Sequence, residues 1–190
     1  DLAGVGAGGG DLTVGEFSAG LDSEVLTKPG NMEITADLVF EGQPGSLRIN
    51  GAFTRLFDEK KEFHPLAGWA EFGGEVKEMP TALVGIIAGR PALLGEILGD
   101  RIDARLAART AGTERKEIDL SISAPRFEGE FSLLVTDKVA LSAPAKITAT
   151  LRPEGAALLF PDSPPVKLRR PLKAELEIAR FSAGLPQPGE

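Results

Sequence analysis

Apolar and polar residues alternate with a period of two along most of this chain. Between Met32 and Phe40, the residues Ile34, Ala36, Leu38 and Phe40 fall on one side, with Thr35 and Asp37 on the other. Leu47, Ile49, Gly51 and Phe53 then oppose Arg48, Asn50 and Thr54, and Ala70, Phe72, Gly74 and Val76 oppose Glu71, Glu75 and Lys77. The pattern returns after residue 100. Ile102, Ala104, Leu106 and Ala108 are followed by Ile118, Leu120, Ile122 and Ala124, then by Phe127, Gly129, Phe131 and Leu133, then by Ile147, Ala149 and Leu151. Successive side chains of an extended strand leave on opposite faces, so each run predicts a strand that is wet on one face only. Turns are expected at Gly42–Gly45, at the charged stretch Asp58–Glu62 and at Gly112–Glu114. Gly155 to Phe160 reads as an apolar helical turn, Pro161, Pro164 and Pro165 as a rigid connection, and Pro171 to Ala183 as a last strand. Short connections favour a meander. The expected fold is mainly β: an antiparallel meander forming a curled sheet or trough, with a closed sandwich or barrel as the alternative.

One stretch departs from this period. Met79 to Leu98 is apolar and near the ~20 residues that a membrane-spanning helix needs. It carries Arg90 and Glu96, and Pro91 interrupts it, which argues against a span. Leu83, Ile86 and Ile87, then Leu93, Leu94, Ile97 and Leu98, recur at helical spacing. Pro80 and Pro91 suit helix starts, and Gly89 and Gly99 suit helix ends. Two short helices are expected at about 80–98. They are too short to stand alone in water and must cover an end or an edge of the sheet.

Composition narrows the chemistry. The chain has 190 residues, 42% hydrophobic and 26% charged, with a formal net charge of -7. That is ordinary for a folded domain, and it disfavours a phosphate-backbone partner, which requires a basic patch. Lys167, Arg169 and Arg170 do cluster, but three charges beside prolines read as a solvated strand end. There is no cysteine, which excludes disulfides, thiolate metal sites and a cysteine nucleophile. The chain begins at Asp1 with no charged and then apolar leader, so it is expected to be a mature product or an internal piece. Residues 1–11 are Gly-rich and read as a flexible lead-in, and residues 12–190 as one β-rich domain. A GxGxxG-like string at Gly4–Gly9 lacks the flanking strand and helix of a dinucleotide site.

The catalytic inventory is thin. The one histidine, His64, sits beside Pro65 in a charged turn, and no GxSxG elbow is present. Glu128 with Glu130, and Glu175 with Glu177, share strand faces and could in principle serve glycoside hydrolysis. They lie opposite apolar faces, as solvated carboxylates do. A polar cleft around His64 or Trp69 is the pattern a hydrolase or sugar-binding domain would need, yet the chain has no tyrosine and one tryptophan. No catalytic residue, metal ligand or cofactor is expected. Two readings of the apolar faces stay open: a dry core, or a lined groove for a partner or an acyl chain.

An internal echo bears on organisation. LTVGEFSAGL (Leu12–Leu21) and LEIARFSAGL (Leu176–Leu185) agree at six of ten positions. Shared strand grammar is one explanation. The other is a strand-then-turn used twice, with the chain spanning about one unit of a longer repeating array.

The run PTALVGIIAGRPALLGEILGDRIDARL (Pro80–Leu106) resembles the helix pair and following LGDxxDxxL strand of AsmA-like and TamB-like envelope proteins. DLSISAPRFEGEFSLLV (Asp119–Val135) resembles that group's next strand pair, and ALSAPAKITATL (Ala140–Leu151) its following strand. The resemblance covers about residues 45–152. It implies an elongated β structure in the periplasm or cell envelope, part of a membrane-anchored parent chain. It further implies a hydrophobic trough that handles phospholipid or another acyl lipid, with envelope membrane proteins as further partners and no nucleic acid. The residues it implies as trough lining are Ile34, Leu38, Phe40, Ile49, Phe53, Phe72, Ile102, Leu106, Ile118, Leu120, Ile122, Phe127, Phe131 and Ile147. Nothing in the sequence sets the oligomeric state.

Overall fold

The computed structural model describes residues 10–22, 29–54, 69–110, 115–159 and 168–184. The expected turns at Asp58–Glu62 and Gly112–Glu114, His64, and most of the Gly-rich lead-in lie outside these. In chain order the strands are β1 (Leu12–Asp22), β2 (Gly30–Phe40), β3 (Gln43–Phe53) and β4 (Trp69–Pro80). Helices α1 (Thr81–Ile87) and α2 (Pro91–Leu98) follow. Next come β5 (Arg101–Thr110), β6 (Lys116–Ala124), β7 (Phe127–Val135), β8 (Lys138–Leu141) and β9 (Ala145–Leu151). Helix α3 (Pro153–Leu159), β10 (Leu172–Ile178) and β11 (Ser182–Gly184) complete the described chain.

All the strands belong to one antiparallel sheet in which each of β1 to β7 pairs with its sequence neighbours. β7 is shared lengthwise: Phe127–Glu130 pairs with β9, and Leu133–Val135 pairs with β8. β10 and β11 continue outward along β9 and β8 in turn. The sheet therefore has nine strand positions, the last two each broken once.

Three expectations are corrected by the pairing. The Ala140–Leu151 strand is two strands, separated at Ser142–Pro144, where Pro144 has no N–H to give a ladder. The Pro171–Ala183 strand is also two, broken opposite that gap. The FSAG string is strand in the first copy, and strand from Ser182 to Gly184 in the second, rather than a turn, because neighbouring strands supply partners for its backbone. The closed sandwich or barrel is not found either. In an up-and-down meander of nine positions the first and last strands run the same way, so antiparallel closure is not open to it.

The two-residue turn Glu41–Gly42 joins β2 to β3 with φ of 50° and 77°, the positive pair that matches strand twist in a tight hairpin. The helical insert begins and ends where prolines and glycines place it. Pro80 precedes α1, Pro91 opens α2, and Gly89 (φ 68°) and Gly99 (φ 102°) end them. No helix of the described residues is long and apolar enough to cross a membrane.

The two helices fold over one end of the sheet's apolar face. Leu83 and Leu98 join Phe40, Met79 and Ile102 in the core, with Leu38, Leu47, Val76, Ile122 and Phe127 packed against it. A bulge between Val76 and Met79 makes this possible, since it brings Met79 onto the face of Val76 and opposite Ile102. Glu78 takes the left-handed conformation at that bulge (φ 49°), and its N–H donates to the Asp103 carboxylate at 2.6 Å. The Arg126 guanidinium, in the β6–β7 turn, donates to the carbonyls of Gly95 and Glu96 at 3.3 and 3.2 Å, tying down the C-terminal turn of α2.

Thr81 opens α1 at 1% exposure, and its hydroxyl has no hydrogen-bond partner. A buried hydroxyl left unpaired costs free energy that a methyl of the same shape does not. Thr81→Val is expected to raise stability by about 1 kcal/mol, read as a higher urea midpoint at unchanged slope.

Candidate functional site

Pairing register settles which side chains share a face, because directly opposed residues point the same way. Ile34, Ile49, Gly74, Leu106, Leu120 and Phe131 form one row across β2 to β7. A parallel row runs Met32, Gly51, Phe72, Ala108, Ile118, Leu133 and Leu141. On the helix side of the first row lies a third: Ala36, Leu47, Val76, Ala104, Ile122, Gly129, Ile147 and Leu176. Leu38, Phe40, Ile102 and Phe127 continue the same face beneath or beside the helices, and Phe53 extends it at the opposite end. All fourteen residues expected as a lining thus project from one side of one sheet.

Their burial differs along the strands. Phe40, Phe53 and Ile102 are buried, at 4%, 2% and 8% exposure, and the other eleven are half-buried. Among the described residues only eight hydrophobic side chains are buried: Ala36, Phe40, Phe53, Met79, Leu83, Leu98, Ile102 and Ala145. Among those residues no second layer covers the middle rows. By strand rise the face runs about 27 Å along β6, and by strand spacing about 38 Å between the edges. It is also uneven. A Cβ added at Gly74 would meet nothing within 4 Å, so a gap opens between Ile49 and Leu106.

One charged residue stands on this apolar face among the described strands. Lys116 lies between Thr110 and Val135, at the end of β6 away from the helices. Burial lowers its ammonium pKa from the ordinary lysine value. Sequence reading missed it. The signal was there, since Lys116 has the parity of Ile118, Leu120 and Ile122, but a charge just after a turn reads as solvated.

The opposite face is a lattice of cross-strand polar pairs. Arg105 donates to Glu75 at 2.7 and 2.8 Å, Arg109 to Glu117 at 2.7 and 2.8 Å, and Ser132 to Asp119 at 2.6 Å. Small residues such as Gly73 and Ala107 leave open clefts of about 870 and 560 Å³ here, lined by Asn50, Glu75, Arg105 and Asp119 among others. Glu128 and Glu130 share this face, exposed, and Glu175 and Glu177 lie exposed on β10. Among the described residues no three His, Cys, Asp or Glu side chains converge to hold a metal ion. What the molecule offers is an open single-layer antiparallel sheet, helix-capped at one end, with one face apolar except at its Lys116 end. The chain matches no family model, no curated protein and no solved structure.

The hydrogen bond from Arg105, with Lys77 adding to it, holds the Glu75 carboxyl below the ordinary carboxylate range. A depressed carboxyl contributes stability above its unfolded-state pKa, and that contribution fades as pH falls through the folded value. Glu75→Gln is expected to lower stability at neutral pH and to flatten the acid-side slope. Urea midpoints of variant and parent should converge by about pH 3.

Proposed function

We propose that this domain binds acyl lipid along its apolar face, as a segment of an envelope protein that carries or holds lipid at the outer membrane. The observation that carries the reading is the uncovered middle of that face: rows of half-buried Ile, Leu and Phe with no described layer above them. Apolar surface of this extent calls for a partner. A lipid chain contributes about 0.8 kcal/mol per buried CH₂. The face is about 27 Å long by strand rise, against roughly 15 Å for one leaflet's share of a 30 Å hydrocarbon core. An acyl chain would lie across the rows, in the strand direction, seated in the gap at Gly74. Lys116 would meet the phosphate of the head group at the end remote from the helices, where an ammonium favours an anion. Such binding needs no catalytic group. The resemblance to AsmA-like proteins adds the envelope setting.

A second reading takes the domain as a spacer or docking module that seats another protein on the same face. The apolar side chains exposed on β1 and β10 favour it, because they extend the apolar surface to both edges.

The deciding measurement is mass spectrometry of an organic extract of the purified domain, before and after incubation with phospholipid vesicles, beside a mock-purified control. Phospholipid in roughly molar proportion is expected. Leu120→Glu and Phe131→Glu should each abolish retention while the circular dichroism spectrum stays that of a folded sheet, since both side chains are only half-buried. Gly74→Leu, which fills the gap without adding charge, should reduce it. Lys116→Ala should weaken binding of anionic lipid more than of zwitterionic lipid. A clean extract under all conditions would sink the lipid reading and turn the search to protein partners.

A further inference from the structure

The two outermost strand positions carry the echoed string, and they use it alike. In β1 the apolar side chains are Leu12 and Val14, then, past a bulge, Phe17, Ala19 and Leu21. In the second copy they are Leu176 and Ile178, then, past the break between β10 and β11, Phe181 and Ala183. Even numbers give way to odd at the same place in both. Pairing confirms the shared face. Val14 opposes Leu38 and Phe17 opposes Ala36, while Ile178 opposes Ala145 and Ala183 opposes Val139. The Leu141 N–H donates to the Phe181 carbonyl at 3.0 Å, which sets Phe181 beside Leu141. Matched positions are also similarly exposed: Leu12 42% and Leu176 56%, Val14 43% and Ile178 38%, Phe17 63% and Phe181 53%.

Shared strand grammar explains alternation. It does not explain a parity change at one alignment position on two opposite edges. Direction completes the match. β1 and β10–β11 are the first and ninth positions of an up-and-down sheet, so they run the same way with the same face apolar. Two such strands have corresponding edges on the same side. The edge that β1 gives to β2 is therefore the edge that β10–β11 leaves unpaired among the described residues.

We propose that β10–β11 serves as the first strand of a second copy of this sheet, its free edge receiving that copy's β2. The register is that of β1 on β2. Leu176 takes Phe40, Ile178 takes Leu38, Phe181 takes Ala36 and Ser182 takes Thr35 of the second copy. That register carries the apolar face unbroken across the joint, whereas a slip of one residue would turn every side chain over. The inference stands apart from the lipid reading, since it concerns an edge and not what the face holds.

The chain has no cysteine, so an introduced pair reports on one contact. Ser182→Cys would be made in the full chain and mixed with a peptide of residues Gly30–Phe40 bearing Thr35→Cys. The comparison peptide bears Val39→Cys instead, on the same polar face but four residues out of register. Disulfide formation several-fold faster with the Thr35→Cys peptide is expected, together with slowed amide exchange in β10 and β11. Equal rates for the two peptides, or no more than a scrambled peptide gives, would overturn the proposal. So would rapid cross-linking of Ser182→Cys chains to each other without peptide, because the edge would then be taken by its own kind.

Discussion

An antiparallel layer whose apolar side chains leave mostly on one side must find cover for that side. Every other feature of this molecule answers to that demand. The alternation is sustained over nine strand positions, and register aligns it into continuous rows from β1 to β10. The helical insert meets the demand at one end, where α1 and α2 bury Phe40, Met79 and Ile102. Over the middle rows nothing within the described residues meets it.

Irregularities in the ladder serve the same end. A strand that gains one residue would turn its remaining side chains to the wrong face unless sequence parity changed with it. It changes at each such place, Val14 to Phe17, Val76 to Met79 and Trp69 to Phe72, and again at the break between β10 and β11, from Ile178 to Phe181. The second of these also turns the chain toward Pro80 and α1, so one irregularity both keeps the core face and launches its cover. The polar face is held differently, by cross-strand charge pairs such as Glu75 with Arg105. These sit in water and fix register more than they add stability.

Much of this architecture is legible in the amino-acid sequence alone. Period-two runs mark the strands, and Pro80, Gly89, Pro91 and Gly99 bound the two helices correctly. Both signals are local: a side chain's face and a residue's allowed backbone angles follow from the sequence nearby. The grouping of the fourteen apolar residues on one face is legible for the same reason. What is not legible depends on partners distant in sequence. Whether FSAG is turn or strand is decided by whether β2 and β8 lie beside it. Which stretches of β7 the strands β8 and β9 take is decided across β7 itself. Lys116 takes its place among apolar neighbours only because Val135, nineteen residues on, opposes it. Openness is equally hidden, since apolar faces look the same in sequence whether they meet each other or wait for something else.

The form of the uncovered face favours one kind of cover over another. A second protein layer packs by interdigitation at crystal-like density, with side chains matched to every hollow. The hollow at Gly74 lies in the middle of a row, between Ile49 and Leu106, and no described side chain of this molecule reaches it. At Gly129 the rings of Phe127 and Phe131 close in instead, so the glycines of this face are not equivalent. A flexible hydrocarbon chain can lie against a row of ridges and gaps without a rigid counterpart and can move along it. The ammonium of Lys116, on the same face at the end of β6 away from the helices, fits the same occupant. A protein layer would have to bury that charge and pair it, whereas a lipid carries its own phosphate to the place where its chain ends.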